Sequence, residues 1–325
     1  MEQRSPSAHG IPHPPFDPDV RRALEEGEDV VVGLAASEIT ALRAGAVPPT
    51  REAYTLGGRF ADRAARTVAA DGTEVRLTVL TPRDQPGPFP VVFHIHGGGM
   101  VVGGAHDVLP DLGPTALDLG CAIVSVEYRL APENPYPAPL DDVYAGWEWV
   151  AREGSAWGLD PARVIVHGVS AGGGLAAGAV LRARDHGGPA ALGQMLVYPM
   201  LDHRNDSASA RQMEGLGAWD RRANATGWAA YLGALDADAV PAYASPALAA
   251  DLGGLPATFI EVGSAETFRD EDVDYARRIW AAGGDAELHV WPGGAHAFDA
   301  LAPDAALSRD ARDARVRWLR RVLGR

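Results

Sequence analysis

A serine becomes a nucleophile where a base takes its proton and the chain holds its hydroxyl clear of the backbone. Gly168-Val169-Ser170-Ala171-Gly172 provides such a place. It follows a short apolar run at residues 164–166 and precedes Gly174-Leu175-Ala176-Ala177, which reads as helix. In this strand-turn-helix setting G-x-S-x-G is a nucleophile elbow: small neighbours let the chain double back, and Ser170 Oγ projects at the helix N-terminus. Upstream, His96-Gly97-Gly98-Gly99 directly follows another apolar run, residues 91–95. Glycines there let backbone N–H groups turn toward one point. Gly98, Gly99 and the N–H of Ala171 are therefore candidate donors to an oxyanion.

The hydroxyl needs a base, and the chain has ten histidines. His296 stands in a loop, Trp291-Pro-Gly-Gly-Ala-His-Ala-Phe298, after the last strand-like run and before the last helical one. A nucleophile, then an acid, then a histidine is the chain order of this elbow chemistry. His289 falls inside a strand pattern and reads as structural. His96 belongs to the glycine turn and reads as its organiser, and His106, His167, His186 and His203 have no comparable setting. The acid belongs in the loop after residues 258–262, where Glu266, Asp270 and Glu271 all qualify chemically. Its task is to hold the imidazole tautomer and stabilise the imidazolium. Residue chemistry alone does not choose among the three.

The elements that must carry these residues alternate along the chain. Strand-like runs lie at 73–80, 91–95, 122–126, 164–166, 194–198, 258–262 and 287–291. Most are short and β-branched, as suits strands buried on both faces. Between them, Leu140, Val143, Tyr144, Trp147 and Val150 recur at helical spacing, as do Val273, Ala276, Ile279 and Trp280 before the Gly283-Gly284 stop. Leu307, Ala311, Ala314, Trp318 and Val322 form a final stripe, with Asp304 as its expected N-cap. These aromatic stripes read as core packing. Strands alternating with helices imply an α/β fold with a mostly parallel sheet and helices on both faces. The first ~20 residues are Pro-rich and read as irregular; helical pieces follow to about Gly45, ended by Pro48-Pro49. Residues 202–244 break the rhythm with a polar stretch holding Trp219, Trp228 and Tyr231.

Composition narrows the function further. The net charge is −14, with no basic run to offset it, so neither nucleic acid nor an anionic membrane is an expected partner. All 29 basic residues are arginine; the chain contains no lysine. That excludes a pyridoxal Schiff base, a Walker phosphate lysine and a Ser-Lys dyad. The single Cys121 sits in an apolar run, reads as a buried strand residue and permits no intrachain disulfide. No stretch reaches the ~18 apolar residues of a membrane span, and the N-terminus shows no apolar signal core, so a cytoplasmic location is expected. No residue pattern calls for a cofactor or a metal.

Taken in order, His96–Gly99, Tyr128-Arg-Leu-Ala-Pro-Glu133, Pro137-Ala-Pro-Leu-Asp-Asp142, the Ser170 elbow and His296-Ala-Phe298 resemble the bacterial hormone-sensitive-lipase-like (family IV) esterases. The likeness covers nearly the whole chain. It implies an α/β-hydrolase core with a helical cap: an N-terminal cap segment at 1–50, core at 51–201, a cap insertion at 202–245 and core again at 246–325. It implies a serine carboxylesterase acting on small or short-acyl esters through an acyl-enzyme, without a cofactor, with a homodimer as its expected assembly. It places the acid at Glu266, where the family usually has Asp, with Asp270 as the alternative. Val169 stands where relatives often carry Asp or Thr, Gly174 where Asn often follows the elbow, and Ala297 where Gly often follows the histidine. Met100, Val169, Trp219 and Trp228 are the candidate pocket residues. The same triad would also serve a lactonase, an amidase or a tailoring hydrolase, and the scaffold also occurs as a non-catalytic ligand binder.

Overall fold

The computed structural model describes residues 11–27 and 32–325. Residues 1–10 and 28–31, and with them half of the Pro-rich start and part of the 1–50 segment, lie outside the described residues. The strands are β1 (Phe60–Val68), β2 (Glu74–Pro82), β3 (Phe89–Ile95), β4 (Ala122–Glu127), β5 (Leu159–Val169), β6 (Gly193–Val197), β7 (Ala257–Gly263) and β8 (Ala286–Trp291). They form one sheet in the order β1-β2-β4-β3-β5-β6-β7-β8. β1 and β2 pair antiparallel, as do β2 and β4, and every later pairing is parallel. The mostly parallel sheet expected from the alternation is present. Its central strands β3 and β6 are buried at every position, which is why they read as mostly apolar runs, with His94 and Gln194 as buried polar exceptions.

The helices are α1 (Pro18–Glu26), α2 (Ile39–Gly45), α3 (Arg51–Tyr54), α4 (Leu109–Asp118), α5 (Ala138–Glu153), α6 (Ala171–His186), α7 (Ala208–Gln212), α8 (Arg221–Leu232), α9 (Arg269–Ala281), α10 (Phe298–Leu301) and α11 (Ala306–Leu323). α5 and α6 pack together on one face; Gly146 of α5 meets the ring of Phe93 there. α4 and α11 flank a cavity over the opposite face, lined by His167 and Val169 of β5 and Met195 and Val197 of β6. α9 covers β7 and β8. α7 and α8 lie between β6 and β7, inside the stretch that breaks the strand rhythm.

Three local expectations need correction. β1 was not anticipated: Phe-Ala-Asp-Arg-Ala-Ala-Arg-Thr-Val lacks the β-branched density of a strand. It forms because β2 offers an open antiparallel edge, and pairing runs the full length from Phe60↔Pro82 to Val68↔Glu74. The final helix is capped not by Asp304 but at Ala305, with no side-chain cap bond. On α9 the buried stripe runs through Asp272, Tyr275, Ala276 and Ile279, while Trp280 is exposed and its indole N–H donates to the Ala286 carbonyl at 2.8 Å. Cys121 is buried and unpaired, and burial pushes its thiol up to about 11. Among the described residues no helix is long and apolar enough to cross a membrane.

Candidate active site

The elbow is built as the motif requires. β5 ends at Val169 and α6 begins at Ala171, leaving Ser170 at φ 57°, ψ −121°. This is a rare conformation for a residue with a side chain, held by surrounding structure. Here Ser170 N–H donates to Val197 O at 2.9 Å, and the Ser170 carbonyl accepts from Gly173 at 2.8 Å and Met200 at 3.0 Å. The flanking glycines are required by contact: a Cβ on Gly172 would lie 2.2 Å from Ile95 O and 2.3 Å from His96 O.

The same crowding brings the glycine turn to the serine. A Cβ on Gly97 would meet Val169 O at 3.0 Å and Ser170 Cβ at 3.2 Å. Gly98, Gly99 and Met100 then run through positive φ of 105°, 59° and 63°. The Gly98 carbonyl accepts from Val101 and Val102, both at 3.0 Å. Among the described residues, the N–H groups of Gly98, Gly99 and Ala171 donate to no backbone carbonyl; the last is an orphan donor of a helix start. His96 sits beneath the turn, as its motif suggested. Its Nδ1–H donates to the Gly97 carbonyl at 2.8 Å, and its ring stacks on Tyr128 at 4.1 Å. Burial lowers its pKa to about 4, so it is neutral at pH 7. The Tyr128 hydroxyl donates to His96 O at 3.0 Å, and Ala131 N–H donates to Met100 O at 2.9 Å. The Tyr128–Glu133 motif thus buttresses the glycine turn, a role not readable from its residues.

His296 comes from the loop between β8 and α10. Ser170 Oγ and His296 Nε2 are 2.9 Å apart, and His296 Nδ1 is 2.6 Å from Glu266 Oε1. A carboxylate only accepts, so Nδ1 carries the proton and Nε2 is left to accept from Ser170 Oγ–H. All three side chains are buried. Glu266 is itself held, with Oε2 accepting from Gly263 N–H at 2.9 Å. Asp270 lies elsewhere: it accepts from Ser209 N–H at 2.8 Å and pairs with Arg269. Glu271 accepts from Leu201 and Asp202 N–H at 2.8 and 3.1 Å, and burial raises its pKa well above the usual range. Of the three carboxylates, only Glu266 touches the histidine.

Two aromatic contacts with His296 escaped sequence reasoning. Tyr198 meets the imidazole edge-on at 4.9 Å, and Phe268 does so at 5.1 Å. Tyr198 sits at φ 37°, and its hydroxyl donates to Asp299 at 3.0 Å. Asp299 pairs with Arg315, which also pairs with Glu261. No local signal marks Tyr198, because its partners come from β7, α10 and α11. The candidate pocket residues are placed as follows. Met100 is fully buried, and a Cβ on Gly174 of α6 would lie 3.7 Å from its Cε. Trp219 lies against Gly99. Trp228 is buried against His203 and Tyr231. Val169 lines the cavity between α4 and α11. The remaining histidines serve other places; His94 and His167 form a buried pair with Nδ1 atoms 2.9 Å apart. Among the described residues no group of three or more His, Cys, Asp or Glu is placed to hold a metal ion.

Residues 92–300 match the family model described as alpha/beta hydrolase fold. The chain is 38% identical over 200 residues to Esterase LipI of Mycobacterium tuberculosis, an alignment spanning 62% of either chain. Over 132 residues it is 34% identical to the hormone-sensitive lipase of Bos taurus, covering 41% of this chain and 18% of that longer one. A solved structure titled Bacterial Heroin Esterase superposes with a TM-score of 0.85 at 34% identity, covering 95% of this chain and 98% of that one. The chain belongs to the α/β-hydrolase fold family, in its hormone-sensitive-lipase-like branch of carboxylic ester hydrolases.

Proposed function

We propose that the protein is a serine carboxylesterase that cleaves small or short-acyl esters through an acyl-enzyme. The observation that carries this is the unbroken chain Ser170 Oγ to His296 Nε2 at 2.9 Å and His296 Nδ1 to Glu266 Oε1 at 2.6 Å. Ser170 Oγ attacks the acyl carbon while Nε2 takes its proton. Glu266 holds the tautomer and stabilises the imidazolium. The oxyanion is received by the N–H groups of Gly98, Gly99 and Ala171. Nε2 returns the proton to the leaving alcohol as the C–O bond breaks. In the second half a water, deprotonated by Nε2, attacks the acyl-enzyme, and the acid leaves as Ser170 regains its proton. Of the candidate pocket residues, Met100 and Trp219 are assigned to the walls around the acyl and alcohol groups, whereas Val169 faces the cavity between α4 and α11 and Trp228 packs within the insertion against His203 and Tyr231. Met100 and Trp219, buried beside the glycine turn, favour small acyl chains.

The test is a fluorophosphonate probe with the adduct located by mass spectrometry, run beside p-nitrophenyl esters from acetate to octanoate. The expected result is labelling at Ser170 and turnover that falls as the acyl chain lengthens. Ser170→Ala is expected to abolish labelling and lower kcat by roughly 10⁴- to 10⁶-fold. Full turnover by Ser170→Ala, or labelling at another residue, would end the proposal.

A further inference from the structure

Trp219 joins two parts of the site that share no backbone element. Its six-membered ring lies on Gly99: a Cβ there would be 2.4 Å from Trp219 Cη2 and 2.6 Å from Cζ2. No residue but glycine fits at 99 while the ring stays in place. α8 closes the same spot, since a Cβ on Gly227 would meet Gly99 O at 3.0 Å and Trp219 Cζ2 at 3.3 Å. At its other end the Trp219 carbonyl accepts from Thr267 Oγ1 at 2.7 Å, and Thr267 directly follows Glu266. Both Thr267 and Trp219 are buried. The next residue pins the assembly, with Asp220 accepting from Gly33 and Gly215 N–H at 2.9 Å and from Ala223 N–H at 2.8 Å.

We infer that Trp219 is a positioning residue that fixes the Gly98-Gly99 turn relative to the Glu266 loop. This rests on the esterase reading above. The turn consists of residues at positive φ, two of them glycine, so it has few restraints of its own. The ring supplies one: it excludes other backbone positions for Gly99 and covers the turn from solvent. Oxyanion donors act only when held at the place where charge develops, so loosening them lowers the chemical step rather than ground-state binding.

The full-length protein is assayed on p-nitrophenyl butyrate as Trp219→Ala and Trp219→Phe, with Tm measured for each. The expected result for Trp219→Ala is a kcat lower by about ten- to a hundredfold, part of the loss seen when an oxyanion donor is removed. KM is expected to stay within about threefold, and fluorophosphonate labelling of Ser170 to slow in parallel. Trp219→Phe, shorter at its tip, covers the case in which the alanine variant does not fold. The contact is tested separately by Gly99→Ala, alone and combined with Trp219→Phe. Alone it forces Cβ into the indole and is expected to lose most activity; the shorter ring is expected to restore part of it. A rise in KM at unchanged kcat would leave Trp219 a pocket wall with no part in positioning the turn and overturn the inference, as would strictly additive effects of the two substitutions. Failure of the esterase reading itself is separately visible, as a wild-type protein that neither labels at Ser170 nor turns over.

Discussion

Glu266 reaches His296 from a loop in which three carboxylates stand within six residues. Its longer side chain is accommodated by a turn that brings Oε2 back to Gly263 N–H while Oε1 meets the imidazole. Glu266→Gln keeps the shape but presents an amide to Nδ1 and favours the wrong tautomer. A kcat loss on the order of 10³- to 10⁴-fold is expected, measured on p-nitrophenyl acetate. Asp270→Asn is expected to leave kcat within about threefold and cost about 1 kcal/mol of stability, because its bonds go to Ser209 and Arg269. If the two variants exchanged phenotypes, the acid would be Asp270.

At the scale of elements, α9 carries its acids inward. Glu271 and Asp272 are both buried in its first turn, where the helix dipole favours negative charge. Glu271 has two backbone donors, whereas neither oxygen of Asp272 has a hydrogen-bond partner among the described residues. Burial raises the Asp272 pKa well above its ordinary 3.8, with Glu271 and Glu266 nearby adding to the effect. A carboxyl whose folded pKa is raised contributes its stability below the unfolded pKa and loses it as pH climbs toward the folded one. Asp272→Asn removes that titration. Its stability relative to wild type is expected to be level below pH 3.8 and to rise above it, by about 1.4 kcal/mol per pH unit until the folded carboxyl ionises. Urea unfolding across pH 3.5 to 8 reads this slope; a pH-independent difference would mean that Asp272 is ionised in the fold.

Across the whole molecule, the N-terminal segment and the 202–245 insertion converge over the ends of the parallel strands. Thr226 of α8 donates to Leu34 O at 2.6 Å, and Gly33 N–H donates to Asp220. Arg43 of α2 ties the segment to the core, donating to Val101 O at 2.6 Å and Ala131 O at 2.5 Å and pairing with Glu133. The two carbonyls belong to buried residues flanking the glycine turn. Arg43→Ala leaves them without that donor and is expected to cost about 1–3 kcal/mol. Faster amide exchange at residues 34–45 than at β3 would locate the loss; uniform exchange would show that the segment is not held by Arg43. We propose on this basis that the segment and the insertion act together as the cap.

What the sequence by itself determined was the mostly parallel α/β sheet, and the local motifs that could do chemistry with their order along the chain. The Ser170 elbow, the His96–Gly99 turn and the late His296 are local patterns, each set by a few consecutive residues and a neighbouring strand or helix, so they are legible before any folding. The sheet is legible for the same reason, since strands buried on both faces are mostly apolar. The partner of His296 was different. Glu266, Asp270 and Glu271 are chemically equivalent, and only the path of the turn after β7 brings one of them within 2.6 Å of the ring. β1 was hidden because its stability comes from the edge of β2 rather than from its own composition. Tyr198 against His296, Tyr128 under the glycine turn and Trp219 on Gly99 were likewise decided by tertiary structure. Each of these contacts joins residues from 32 to 120 positions apart by the numbering, and no local propensity encodes a distance across that separation.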